Sequence, residues 1–291
     1  MDTGAFAPPK TLCVLVYDAV TGGKIRVLST YHNCCYLIIH KEELQMDSLF
    51  LREKMLLGAD AMTRLDAAHV IVFGLGGVGS WAAEALVRSG IGEITLVDHD
   101  TVGESNINRQ LGALHSTLGM PKAEALAARL RDINPQCRIH VRNERYSADV
   151  RESFFEFSYS YIIDAIDIVT CKLDLIQTAL SRGVPIISAL GTGNKLDPTC
   201  LTICDISKTY NCPLAKVIRK ELRYRGIRHH QVVFSPEEKL YAEQVEAPPE
   251  GRRSVPGSVV WVPACAGLML AGHVVQALAM SAEVDDQENQ P

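Results

Sequence analysis

No two cysteines stand at C-x-x-C spacing in this chain of 291 residues, although it contains nine of them. Cys34 and Cys35 are adjacent, and Cys200 and Cys204 are four positions apart, a pattern that suits neither a disulfide framework nor a four-cysteine zinc site. No zinc is therefore expected, and a cytoplasmic, reducing location suits the thiols. An uninterrupted apolar run of the roughly 20 residues that cross a bilayer is also missing. The longest candidate, 259–280, is broken by Pro263, Gly267, Gly272 and His273, and reads as a buried strand followed by a helix, so no membrane partner is expected. The N-terminus lacks a basic flank leading into an apolar core and a small-residue cleavage site, which argues against secretion. Positive charge is not in excess either: 29 Lys and Arg against 34 Asp and Glu leave −5. Any contact with nucleic acid must then rest on a local basic patch. What is present is an ordinary globular composition, 47% hydrophobic and 22% charged, enough for one large domain or two small ones.

Residues 1–45 stand apart from the rest. Their apolar runs "TLCVLVYDAV" and "CCYLIIH" read either as two strands of a small appendage or as translation from a start upstream of Met46, which opens the main domain cleanly. Asp47 or Ser48 is suited to cap a helix over "LFLREKMLLG" that Gly58 stops, and "DAMTRLDAA" is a second short helix. From there strands and helices alternate: strand "HVIVFG", helix "SWAAEALVRSG", strand "EITLVDHD", helix "PKAEALAARLRDIN", strand "RIHVRN", a helix near "DVRESFFEF", strand "YIIDAID", helix "TCKLDLIQTALSRG" and strand "PIISAL". This order calls for an α/β fold, a doubly wound, mostly parallel Rossmann-like sheet with helices on both faces and its ligand site at the C-terminal strand edge. The pattern loosens after Gly191. A basic helix spans 212–226, strand "QVVFS" follows, and the prolines of 236–257 predict a mobile loop. The main domain is thus expected over 46–280, with a disordered acidic tail at 281–291.

Gly74, Gly76, Gly77 and Gly79 form a G-x-G-G-x-G turn between a strand and a helix. Such glycines let the backbone approach a phosphate, and the helix N-terminus offers N–H donors to it. Asp98, at the end of the next strand, stands where an acid binds ribose hydroxyls. An NAD-dependent dehydrogenase would fit equally well up to this point. Asp100, Asn106, Asn108, Arg109, Gln110 and Lys122 tip the reading towards a triphosphate, because Arg109 and Lys122 can neutralise its β- and γ-phosphates and a departing pyrophosphate. In "IIDAID", Asp164 and Asp167 lie where a buried strand meets its loop. Helix capping and ligand binding stay open for Asp164, whereas Asp167 is read as the Mg²⁺ residue. Lys216, Arg219, Lys220, Arg223, Arg225 and Arg228 concentrate positive charge on and after one helix, and are the candidate RNA contacts.

The combination "VFGLGGVGS", "LVDHDTVGESNINRQ", "MPKAEA" and "DAID" resembles the ubiquitin-activating-enzyme-like superfamily of adenylyltransferases over residues 48–195. The resemblance implies that the glycine turn and Asp98 bind ATP and that Lys122 contacts its phosphates. It further implies that Arg109 reaches the nucleotide of the partner subunit in a homodimer, and that Asp167 supports Mg²⁺. Branches of this superfamily that activate sulfur carriers usually have two C-x-x-C pairs, which are absent. Instead "FLREKMLLG", "INRQLGALHSTLGMPK", "GTGNKLDPT", "CPLAKVIRKELRYRGI" and "GSVVWVPACAGLMLAG" resemble the tRNA threonylcarbamoyladenosine dehydratase family over residues 48–278. In that family ATP drives cyclisation of the threonylcarbamoyl group on adenosine 37 of ANN-decoding tRNAs to a hydantoin, and a sulfur-transfer partner is conceivable. Cys212 occupies a place where some relatives put a thiol nucleophile, although a free cysteine is by default a small buried hydrophobe. Activation of a ubiquitin-like or sulfur-carrier protein, an NAD(P) oxidoreductase and a non-catalytic nucleotide-binding scaffold are the competing expectations.

Overall fold

The computed structural model describes residues 14–16, 26–28, 49–240, 243 and 255–280. Most of the leading segment, the caps Asp47 and Ser48, most of the loop 236–257 and the tail 281–291 lie outside the described residues. The chain divides into two units, Met1–Leu51 and Arg52–Pro291. In the first, strands β1 (Val14–Val16) and β2 (Arg26–Leu28) pair antiparallel.

Helix α1 (Leu51–Leu57) starts on the boundary residue, and the second unit continues with α2 (Ala59–Asp66) and is built on a seven-stranded sheet in the order β5-β4-β3-β6-β7-β9-β8. Strand β3 (His69–Phe73) is buried at every position, as the β-branched run "HVIVF" requires of a strand covered on both faces. Beside it on one side lie β4 (Glu93–Val97) and β5 (Arg138–Arg142), and on the other β6 (Tyr161–Asp164), β7 (Ile186–Ala189) and β9 (Gln231–Phe234), all parallel. The winding reverses between β3 and β6. Helices α3 (Gly79–Arg88), α4 (Lys122–Ile133), α5 (Val169–Ser181) and α6 (Pro213–Tyr224) connect the strands, and α7 (Trp261–Met280) packs on α2 and α3. Two large apolar cores and one small cluster of Val102, Ala113 and Ala125 result among the described residues. One large core holds Leu65, Leu86, Ile94, Leu126 and Leu270, and the other holds Phe73, Phe154, Ile176, Ile218 and Phe234.

Three elements differ from the sequence expectation. The helix near "DVRESFFEF" is only a 3-10 turn, Arg151–Phe154, because Phe154 is its single fully buried anchor and no apolar stripe continues it. Phe154 packs edge-on to Phe73 at 5.5 Å between ring centroids, beneath the Arg142 guanidinium at 4.5 Å. Residues 261–280 are one helix with no preceding strand. Pro263 falls in its first turn, where the missing N–H costs no helical hydrogen bond. Finally, "TICD" forms β8 (Thr202–Asp205), antiparallel to β9 at the sheet edge. Helix α7 is long and apolar enough to cross a membrane, but more than half of its most apolar window is buried within the fold. Its Gly267 allows a close approach: a Cβ there would stand 2.3 Å from the Val78 carbonyl oxygen.

Candidate active site

The winding reversal leaves a crevice at the C-terminal ends of β3 and β6, the position at which open α/β sheets bind ligands. A cleft of about 840 Å³ occupies it. Its floor is the glycine turn. Gly74 has φ +84°, and a Cβ there would stand 2.7 Å from the Ala165 carbonyl oxygen; a Cβ on Gly79 would meet the Gly74 carbonyl oxygen at 1.8 Å. The turn therefore closes on itself and against the loop after β6, and only glycine permits both contacts. Asp98, buried at the end of β4, holds this turn from the neighbouring strand. Its Oδ2 accepts the Leu75 N–H at 2.7 Å, and its Oδ1 accepts the Asp100 N–H at 2.9 Å.

Gly74, Gly76, Gly77, Asp98, Asp100, Asn106, Arg109, Gln110, Lys122 and Asp167 all line this cleft. Lys122, in the first turn of α4, is largely buried and donates to Asp100 Oδ2 at 2.8 Å. The stem of Arg109 lies over Gly77, and its Nη1 donates to the Ser105 carbonyl at 2.7 Å and to Asn108 Oδ1 at 2.8 Å. Asn106 Oδ1 accepts the Gly103 N–H at 3.1 Å, fixing the loop that carries Arg109. Asp167 is exposed at the mouth of the cleft, just before α5.

Asp164 is not part of the cleft, and its reading as a nucleotide ligand is corrected. It is fully buried, and its carboxylate is consumed internally: Oδ2 takes the Lys172 ammonium at 2.7 Å and the Ser188 hydroxyl at 2.6 Å, while Oδ1 accepts the Ile166 N–H at 3.0 Å. Lys172 also donates to the Ala189 carbonyl at 3.0 Å. Since the Ser188 hydroxyl donates to Asp164, it accepts from His230 Nε2 at 2.8 Å. His230 Nδ1 is then a buried acceptor with no hydrogen-bond partner among the described residues. Burial and the nearby Lys172 charge hold this imidazole neutral, with its pKa pushed down to about 3.

The far wall comes mostly from residues to which the sequence reading gave no ligand role. Gly191–Lys195 follow β7, and Glu237, Lys239, Pro256 and Ser258 flank the segment outside the described residues. Asn194, at φ 58°, ties the two flanks together. Its N–H donates to the Gly257 carbonyl at 2.8 Å, its Oδ1 accepts the Gly257 N–H at 2.6 Å, and its carbonyl accepts the Leu240 N–H at 2.9 Å. Lys195 is buried against the carbonyls of Ser235 at 2.5 Å and Glu237 at 3.1 Å, and burial lowers its pKa. The signal was available: "GTGNK" is a second glycine turn at the C-terminal end of a parallel strand. Cys212 lines the same wall. It is 5% exposed and caps α6, its Sγ accepting the Ala215 N–H at 3.5 Å.

The basic helix is amphipathic. Ala215, Ile218 and Leu222 face the core, while Lys216, Lys220 and Arg223 are exposed, as are Arg225 and Arg228 beyond the helix. Arg219 differs from these: its guanidinium is half-buried and bonds the Thr209 carbonyl and hydroxyl.

The model of the ThiF family matches residues 50–290. A tRNA threonylcarbamoyladenosine dehydratase of Bacillus subtilis is 42% identical over 244 residues, which cover 81% of this chain and 96% of that protein. The crystal structure of the Escherichia coli tRNA N6-threonylcarbamoyladenosine dehydratase in complex with ATP superposes with a TM-score of 0.72. It is 36% identical, and the match covers 80% of this chain and 94% of that one. A molybdopterin-synthase adenylyltransferase of Salmonella typhimurium is 34% identical over 148 residues, only 51% of this chain and 59% of that protein.

Proposed function

The chain belongs to the ThiF family, and from that premise we propose that it is an ATP-dependent tRNA threonylcarbamoyladenosine dehydratase. The observation that carries the reading is a single cleft at the winding reversal, which collects the glycine turn, Asp98, Arg109, Lys122 and Asp167. The substrate carboxylate is that of the threonylcarbamoyl group on adenosine 37 of ANN-decoding tRNA.

The threonine carboxylate attacks the α-phosphorus of ATP, forming a mixed anhydride and releasing pyrophosphate. The N–H donors of the glycine turn and the α3 N-terminus cradle the phosphates. Lys122 and Arg109 offset the charge that gathers on the departing pyrophosphate. The carboxylate of Asp167, a hard oxygen donor at the cleft mouth, fits Mg²⁺, which when bound would neutralise phosphate charge. The carbamoyl nitrogen then closes the hydantoin ring on the activated carbonyl and expels AMP. That step is intramolecular, and orientation alone contributes about 7–11 kcal/mol, so no covalent enzyme intermediate is required. The buried capping role of Cys212 agrees with a route that bypasses it.

Three further parts belong to the proposal. The exposed cations Lys216, Lys220, Arg223, Arg225 and Arg228 offer the tRNA a phosphate-binding surface. A homodimer is supported by the bare apolar side chains of α1, Met55 at 77% and Leu56 at 87% exposure. The reaction runs in the cytoplasm, where a sulfur-transfer protein is a candidate partner.

Mass spectrometry of nucleosides tests the reading, using tRNA that carries the open threonylcarbamoyl group together with the protein, Mg²⁺ and ATP. The modified nucleoside is expected to lose one water, and Asp167→Ala is expected to abolish that loss. An unchanged mass, with ATP demonstrably bound, would overturn the reading in favour of a carrier-protein adenylyltransferase.

A further inference from the structure

We propose that His69, Glu93 and His140 form a binding site for a divalent transition-metal ion of the zinc class, on the sheet edge opposite the cleft. The three residues come from adjacent parallel strands: His69 and Glu93 open β3 and β4, and His140 is the middle residue of β5. Register sets His69 beside Glu93 and Thr95 beside His140, so one face of β3, β4 and β5 presents them together. One ligand atom from each lies within 4.8 Å of the others. Glu93 Oε1 is 2.6 Å from His140 Nε2 and 3.7 Å from His69 Nδ1. Ligand atoms of a tetrahedral zinc ion stand about 3.3 Å apart, within that range of separations.

The surroundings are arranged as ligands require. His69 Nε2 is hydrogen-bonded to Thr95 Oγ1 at 2.8 Å, which holds the ring with Nδ1 turned towards Glu93, as an outer-shell partner does for a ligating histidine. Arg138 occupies the other carboxylate oxygen, Oε2, at 2.8 Å and leaves Oε1 facing the two rings. The rings of Tyr159 and Phe157 wall the site, with centroids 4.7 Å from that of His69 and 5.7 Å from that of His140, respectively. His140 is 39% exposed, so water can reach the fourth position.

Two imidazoles and one carboxylate select zinc and its transition-metal neighbours over Mg²⁺, which prefers oxygen ligands throughout. The cleft and this site would therefore sort two ions by ligand chemistry. Strand β3 separates them by about 13 Å at ~3.3 Å per residue, so the ion's role is to tie three adjacent strands together.

Cobalt(II) titration of the full chain, followed by visible absorption, tests the proposal. One equivalent is expected to bind, giving d–d bands without a sulfur-to-cobalt charge-transfer band, which separates this site from the cysteines. His140→Gln and Glu93→Gln are expected to weaken binding by about tenfold or more, with ATP binding intact and circular dichroism reporting a folded protein. Zinc is expected to raise the melting temperature of the wild-type protein and not that of the variants. Unchanged cobalt affinity in folded variants, or no stoichiometric uptake by the wild-type chain, would overturn the proposal.

Discussion

Lys172 and Asp164 have no exposed side-chain surface, and each is the other's only ionic partner among the described residues. Two buried charges are tolerable here because the Ala189 carbonyl, the Ser188 hydroxyl and the Ile166 N–H take up the remaining donors and acceptors. Removing one partner strands the other, so Lys172→Met is expected to cost about 3–5 kcal/mol, measurable by chemical denaturation. No local pattern points to this pair. Asp164 and Lys172 are eight positions apart, across a strand end and a helix, and no periodicity marks a lysine that turns inward. His230 belongs to the same network, and its effect runs with pH. Its folded pKa of about 3 lies below the free value of 6.5, so the unfolded chain binds the extra proton. Its contribution is complete above pH 6.5 and is lost as acidity approaches the folded value. Between pH 6.5 and 5 the loss amounts to about 2 kcal/mol. Thermal melts across that interval should show the dependence, and His230→Gln should flatten it.

Among the elements, the glycine turn tolerates little change. A methyl group on Gly79 meets a backbone oxygen at 1.8 Å, which no side-chain rotation relieves. Gly79→Ala should therefore destabilise the protein by about 1–3 kcal/mol and lower ATP affinity, as denaturation and calorimetric titration would measure. This turn and the parallel strands were legible in the sequence, because short β-branched runs between helical stretches have few other readings. Strand β8 was not. "TICD" is only four residues long, lies at the sheet edge with its first residue exposed, and lacks the alternation that marks a half-buried strand. The start of α7 was misjudged for a related reason: Val259 and Val260 suggest a strand, and only the packed structure shows Pro263 inside the first helical turn. Lys195 escaped notice because its depressed pKa comes from burial, which no local pattern announces.

At the scale of the molecule, a chain of net charge −5 must bind a polyanion through a restricted surface. Each phosphate contact contributes about 0.7 to the salt slope on single-stranded RNA. Replacing Lys216, Lys220 and Arg223 with alanine should therefore reduce the slope of log affinity against log salt by about 2, while ATP binding is unchanged; filter binding at several salt concentrations would measure it. A slope equal to that of the wild type would move the RNA surface elsewhere.

Helix α7 reaches back to the beginning of the second unit. Gly267 seats it against the Val78 carbonyl, and Pro263 approaches Gly77. The turn proposed to meet the nucleotide is thus completed by residues translated nearly two hundred positions later. On the ribosome, the glycine turn emerges long before its supporting helix is made. A nascent chain halted short of residue 267 carries the nucleotide motif but not its backing. Premature termination there should yield a product without ATP turnover, so that synthesis itself guards against half-made enzyme consuming ATP.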